Sequence, residues 1–222
     1  KAAAAPNLAL VGASCKLPGG VWSGGLACAV AVGCDLVGEV PSSRWDACVV
    51  PAGVEAGGAV RMRHGAFVLC AECFDHVRFG VSVGECVAMD PQQRLVLEQG
   101  YACLHGGGLT RSAVLGSGVG VGVGIYACEF QQVLSSSPLA LSVYAATGAT
   151  LSVACGRVSF VLGLHGPCAT FDTACSASLV ACHSAVVAIG RGECSSHVAA
   201  GVNLMLLPSN GMHMAIAGMT SV

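Results

Sequence analysis

Residues 168 to 192 read Cys168-Ala169-Thr170-Phe171-Asp172-Thr173-Ala174-Cys175-Ser176-Ala177-Ser178-Leu179-Val180-Ala181-Cys182-His183-Ser184-Ala185-Val186-Val187-Ala188-Ile189-Gly190-Arg191-Gly192. The short run Cys168 to Asp172, with its Thr and Phe, predicts a buried strand. From Ser176 to Ile189 the residues are small or aliphatic, without Pro or Gly, and Gly190 and Gly192 supply a stop; this predicts a helix. Cys175 falls at the junction, on the first turn of that helix. Backbone N–H groups there lack intrahelical partners, and the helix dipole favours an anion by up to ~2 kcal/mol in a partly buried site. A strand, a tight turn and a helix opening on Cys form a station for a nucleophile. The same residues also fit a small buried hydrophobe, the commonest role of a cysteine.

The run Asp172-Thr173-Ala174-Cys175-Ser176-Ala177-Ser178-Leu179 resembles the active-site signature of β-ketoacyl synthases, and specifically of the ketosynthase domains of modular type I polyketide synthases. Met89-Asp90-Pro91-Gln92-Gln93-Arg94-Leu95 is a second strong likeness. Others are Leu8 to Gly20 with its Pro18-Gly19-Gly20 turn, Val40 to Asp46, His64 to Phe67, Phe79 to Ser82, Gly156 to Phe160 and Gly201 to Leu204. Ala177 stands where the family more often has Ser.

Composition sets bounds of its own. A chain of 222 residues can bury a real core in one or two domains. Net charge is −2 with no charged tail, which gives no electrostatic reason to bind nucleic acid or an anionic membrane. Charged residues make up 10% of the chain, against about 25% in a typical soluble domain. So few charges predict that much of the exterior is covered, by more polypeptide or by a partner. The 14 cysteines lack the regular spacing of a disulfide scaffold, and Cys175 and Cys182 would lie about 10 Å apart along one helix. A reducing, cytoplasmic compartment with free thiols is expected. Lys1 and the Ala run after it resemble a signal peptide, but Pro6 and Asn7 interrupt it. The uncharged stretch Leu17 to Cys34 holds Pro18 and five glycines, a poor membrane span.

Along the chain, Asn7 to Gly12 predicts a short strand and Leu26 to Leu36 a helix. Val49 to Val60 reads as a Gly- and Ala-rich surface loop. Asp90 can cap a helix that has Pro91 at its first position and runs to about Leu104. Val119 to Ile125 alternates Val and Gly. The glycines of Gly118-Val119-Gly120-Val121-Gly122 imitate a dinucleotide loop, but no helix is expected to open after it and no acidic residue follows at the right distance, so a buried strand is predicted. Leu151 to Leu162 predicts a helix, Leu164 to Pro167 a turn, and His197 to Leu206 a strand. Strands alternating with helices argue for an α/β layered fold with a mixed or parallel sheet. The resemblance makes it the thiolase-like fold, mixed sheet with flanking helices. It covers the first of that fold's two halves, so residues 1–222 are expected to be the N-terminal part of a single β-ketoacyl synthase domain, with the C-terminal half absent.

The resemblance implies that Cys175 accepts an acyl chain as a thioester, for decarboxylative Claisen condensation with a malonyl-type extender. Asp172, Thr173, Ala174 and Ser176 would shape the turn around it. No cofactor is expected on this chain; phosphopantetheine would come with an acyl carrier protein, the expected partner besides acyl and malonyl thioesters. A homodimer is expected in the intact domain, through strands around Cys168 to Asp172. In the family two histidines from the second half complete the site, and neither motif occurs here. Of the seven histidines, His183 lies about 12 Å up the helix and rotated by roughly 80° from Cys175, and reads as a core residue. His165 should sit more than about 15 Å away, at the far end of the strand. Cys70-Ala71-Glu72-Cys73 followed by His76 imitates a zinc half-site, but no second pair follows at finger spacing, and no metal is expected. The other readings are a non-condensing paralogue that binds carrier protein or dimerises, a fatty-acid ketosynthase, and a thiolase.

Overall fold

The computed structural model describes residues 8–47, 62–126 and 129–220. In chain order the elements named below are α1 (Ser23–Ala31), β1 (Gly38–Glu39), β2 (His64–Gly65), α2 (His76–Phe79), α3 (Val83–Ala88) and α4 (Pro91–Gly106). They continue with α5 (Arg111–Val114), β3 (Gly120–Ile125), α6 (Glu129–Ser135), α7 (Ala145–Gly148) and α8 (Val153–Leu162). Then come β4 (Cys168–Phe171), α9 (Ala177–Gly190), β5 (His197–Val202) and α10 (Pro208–Ile216). The chain divides into two compact units, one of residues 1–14 and 71–203, the other of 15–70 and 204–222.

The larger unit is built on a parallel sheet in the order β4-β3-β5, with β3 at its centre. The alternation of β3 decides how it is layered. Side chains of successive strand residues point to opposite faces. Val121, Val123 and Ile125 therefore share one face, and they pack into a core with Val96, Leu97 and Leu104 of α4 and Ala154, Val158 and Leu162 of α8. The glycines take the other face, and there α9 comes down on the sheet. A Cβ on Gly124 would lie 2.4 Å from the Ala177 carbonyl carbon and the Ser178 nitrogen. The helix answers with its own small stripe, burying Ala177, Ala181, Ala185 and Ala188. Gly opposite Ala lets backbone approach backbone, and the result is three layers: α9, sheet, and α4 with α8.

The α/β expectation holds, with a parallel sheet flanked by helices. α4 is capped as its sequence predicts: Asp90 Oδ1 accepts from the Gln92 N–H at 2.7 Å, and Pro91 opens the helix. Several expectations need correction. Leu8 to Gly12, the described part of the predicted first strand, pairs with no strand, and Leu10 and Val11 are exposed. β4 is an edge strand, so Cys168 is exposed and the other three residues are half-buried; it is not the buried strand predicted. The predicted Leu26 to Leu36 helix ends at Ala31, where Gly33 turns at φ +62°. β5 stops at Val202, because β3 ends opposite it at Ile125. A helix does open after the glycine strand, at Glu129, yet Gly120 and Gly122 lie inside a fully buried strand, with Gly118 exposed just before it, and form no loop that could cradle a phosphate. The predicted loop Val49 to Val60 lies outside the described residues.

In the smaller unit β1 and β2 form an antiparallel pair, and Trp45 meets Phe67 edge to face at 5.7 Å. Lys16 Nζ donates to the Cys70 carbonyl at 3.0 Å. The last helix, α10, belongs to the same unit.

Candidate active site

β4 ends at Phe171, and three residues later a single turn of 3-10 helix, Ala174–Ser176, leads into α9. Ala174 sits at φ +54°, in the left-handed region that a residue with a Cβ enters at a cost of roughly 1–3 kcal/mol. The turn is knotted by its own side chains. Asp172 Oδ1 accepts from the Ala174 N–H at 3.3 Å. The Ser176 hydroxyl donates to the Thr173 carbonyl at 2.8 Å, with Thr173 Oγ1 2.9 Å away. The Ser176 N–H also donates to that carbonyl, at 3.3 Å. These contacts hold the sharp reversal that Ala174 alone would resist, and they leave Cys175 exposed at its apex.

All five residues singled out by sequence, Asp172, Thr173, Ala174, Cys175 and Ser176, thus meet in one exposed turn at the carboxyl end of β4. Cys175 lies in the 3-10 turn before α9, one step earlier than the first helical turn predicted. No side chain caps α9 at Ser176. The histidines of this unit are placed elsewhere. His183 rides on α9 but is exposed, which corrects its reading as a core residue; the buried stripe of the helix is all Ala. His165 precedes β4 at the opposite end from Cys175, its N–H donating to the Ser117 carbonyl at 2.8 Å. His197 opens β5 beside Gly120, also at the amino end of the sheet. Its ring lies against Gly120 and Gly122, and burial pushes its pKa down. His76 Nδ1 donates to the Val81 carbonyl at 2.8 Å.

Sequence reasoning missed a buried polar cluster behind this end of the sheet. Parallel strands put the chain leaving β3 at the same end as the turn that follows β4. The segment after β3 is anchored from beneath. Gln93 Nε2 donates to the carbonyls of Thr147, Gly148 and Thr150 at 3.1 to 3.2 Å. The Asp90 N–H donates to the Gly148 carbonyl at 2.9 Å. Arg157 of α8 donates through Nε to Gln93 Oε1 at 2.7 Å and pairs with Glu85 of α3. Nearby, Arg94 Nε and Nη2 both donate to the Met89 carbonyl, and burial lowers the guanidinium pKa. The available signal was Arg157 standing alone in an apolar helix, since an ion inside a core needs partners.

Residues 6–222 match the family model for the β-ketoacyl synthase N-terminal domain. Phenolphthiocerol synthesis polyketide synthase type I Pks15/1 of Mycobacterium bovis is 43% identical over 205 residues, which are 91% of this chain and 10% of that protein. Pikromycin polyketide synthase component PikAII of Streptomyces venezuelae is 42% identical over 212 residues, 94% of this chain and 6% of that one. Among solved structures, the ketosynthase from module 6 of the bacillaene synthase from Bacillus subtilis 168 superposes with a TM-score of 0.81 at 29% identity, over 96% of this chain and 34% of that chain. The oxazolomycin ketosynthase domain OzmH KS7 of Streptomyces albus JA3453 gives 0.83 at 29% identity, over 94% and 37%. The chain spans a tenth or less of these curated relatives and about a third of these ketosynthase chains.

Proposed function

Because the chain belongs to the β-ketoacyl synthase family and has its thiolase-like fold, we propose that Cys175 is the nucleophile of a polyketide ketosynthase. The observation that supports this most directly is an exposed cysteine at the apex of a strained, side-chain-knotted turn between a parallel strand and a helix. The Cys175 thiolate attacks the carbonyl carbon of an acyl thioester carried on the phosphopantetheine arm of an acyl carrier protein. The carrier thiolate leaves and takes up the proton that Cys175 gave to solvent. A thiolate is both a good nucleophile and a good leaving group, so the same residue can accept the acyl chain and release it to an extender carbanion formed when a malonyl thioester loses carbon dioxide. Asp172, Thr173 and Ser176 position the turn. The test is incubation with an acyl N-acetylcysteamine thioester followed by peptide mapping. Acyl groups are expected on Cys175 ahead of the other cysteines and are expected to vanish in Cys175→Ala. Equal acylation of several cysteines would overturn the assignment.

Two features support a larger assembly. On α9 the face away from the sheet is apolar and exposed, with Leu179 71% and Val186 41% accessible. The solved ketosynthases are about three times the length of this chain. This face is covered in the intact domain by further ketosynthase residues. The free edge of β4 pairs with a second copy of the domain. Sedimentation of the intact domain should then give a dimer at micromolar concentration, and a monomer alone would contradict the pairing.

A further inference from the structure

Beyond that reaction, we propose that Cys70, Glu72 and Cys73 bind one divalent cation of the zinc class. By spacing alone the run Cys70-Ala71-Glu72-Cys73 offers two thiols and lacks a second pair. Folding adds a carboxylate to them: one Glu72 oxygen and both sulfurs lie within 4.8 Å of one another, and all three residues are exposed. The four residues are consecutive, so the grouping is made within a single turn of chain, at which Cys70 doubles back with φ +50°. Tetrahedral zinc, with bonds of ~2.3 Å to sulfur and ~2.0–2.2 Å to oxygen, holds its ligand atoms about 3.5–3.8 Å apart. Closing on an ion therefore asks the side chains for little more than about 1 Å of movement. His76, which makes the run imitate a zinc half-site, stands outside the group, with Nδ1 on the Val81 carbonyl at 2.8 Å.

The donor set selects the ion. Two thiolates favour zinc over magnesium or calcium, which take oxygen ligands. Water fills the fourth position, which stays open because all three residues face solvent. Binding releases both thiol protons to solvent, so affinity falls as pH falls. Two thiolates and a carboxylate around a divalent ion leave one net negative charge. Two cations are already fixed on the backbone of the same run. Lys16 Nζ donates to the Cys70 carbonyl at 3.0 Å, and Arg94 Nη1 donates to the Glu72 carbonyl at 3.1 Å. They offset the remaining charge from outside the ligand shell. The ion would tie Cys70 to Cys73 and stiffen the run that leads into Asp75, the cap of α2.

The experiment labels the intact, reduced domain briefly with N-ethylmaleimide, in zinc chloride or in a chelator, and maps the labelled peptides. Zinc is expected to slow labelling of Cys70 and Cys73 together several-fold, while the exposed Cys28 and Cys34 label as before. Magnesium chloride should protect none of the four. Glu72→Gln keeps both thiols and removes the third ligand. The zinc concentration that gives half protection should then rise by at least the ~10–100-fold that losing an outer-shell partner costs. Three results would overturn the proposal: no protection of Cys70 and Cys73, equal protection of Cys28 and Cys34, or half protection at the same zinc concentration in Glu72→Gln.

Discussion

Ala174 shows how little chemistry a nucleophile turn needs in order to be specific. Its positive φ forces the chain to double back, and Asp172 and Ser176 fix that reversal with bonds made inside the turn. The turn is therefore local, and its residues stand together in the sequence. His197 is the opposite case, since its environment is made by a neighbouring strand. Its ring is laid on Gly120 and Gly122, and burial lowers its pKa, so the folded chain resists protonation there. In the unfolded chain the imidazole takes a proton near pH ~6.5. Below that pH, down to the depressed folded value, the unfolded state binds more protons, and stability falls as pH falls. Melting temperature measured from pH 8 to pH 5 should decline across this window, and His197→Gln should decline less. Parallel profiles for the two proteins would mean that the half-buried imidazole does not set the slope.

Among the elements, the contact of α9 with β3 fixes where the turn is held. Gly124 faces the start of α9 with no room for a methyl group, and Gly201 of β5 faces Ser178, whose Cβ a new Cβ would meet at 2.6 Å. Because the atoms opposite Gly124 are backbone, no rotamer change can make space. Gly124→Ala should lift the first turn of α9 off the sheet at a cost of about 1–3 kcal/mol or more. Urea unfolding should show a lower midpoint with an unchanged slope, and a change within ~0.5 kcal/mol would contradict this close packing. On the other face the Arg157, Gln93 and Glu85 cluster ties α8, α4 and α3 together and anchors residues 147 to 150. There a buried guanidinium is held by the Gln93 amide oxygen and the Glu85 carboxylate.

For the molecule as a whole, the proposed reaction needs more groups than this chain brings to Cys175. Acyl transfer needs the thiolate and a backbone N–H donor. Decarboxylation develops negative charge on an enolate, which requires donors aimed at it, and one missing donor of that kind typically costs ~10²–10³ in rate. On the larger unit His165 and His197 lie at the far end of the sheet, and His183 faces solvent on α9. A protein of these 222 residues is therefore expected to accept an acyl group without condensing it. Acyl-primed protein given labelled malonyl carrier protein should release no labelled carbon dioxide above the Cys175→Ala background. Turnover would mean that one of these histidines reaches the thioester.

The sequence by itself determined the motif turn, the capped helix after Asp90 and the central Val–Gly strand. Each rests on neighbours in the chain: a capping carboxylate two residues from its N–H, a period of two, a run of residues 172 to 176. It also carried the family, because the resemblance lies in short contiguous motifs. Tertiary structure alone decided that β4 is an edge strand, that Leu8 to Gly12 finds no strand partner, and that His183 faces outward. Such outcomes depend on which surface covers which, and apolar composition is the same on a covered face and an uncovered one. It alone also brought Arg157 to Gln93 and Thr170 to Cys155. Those pairs are 64 and 15 residues apart in the chain, and the partners of a buried polar atom are chosen by packing.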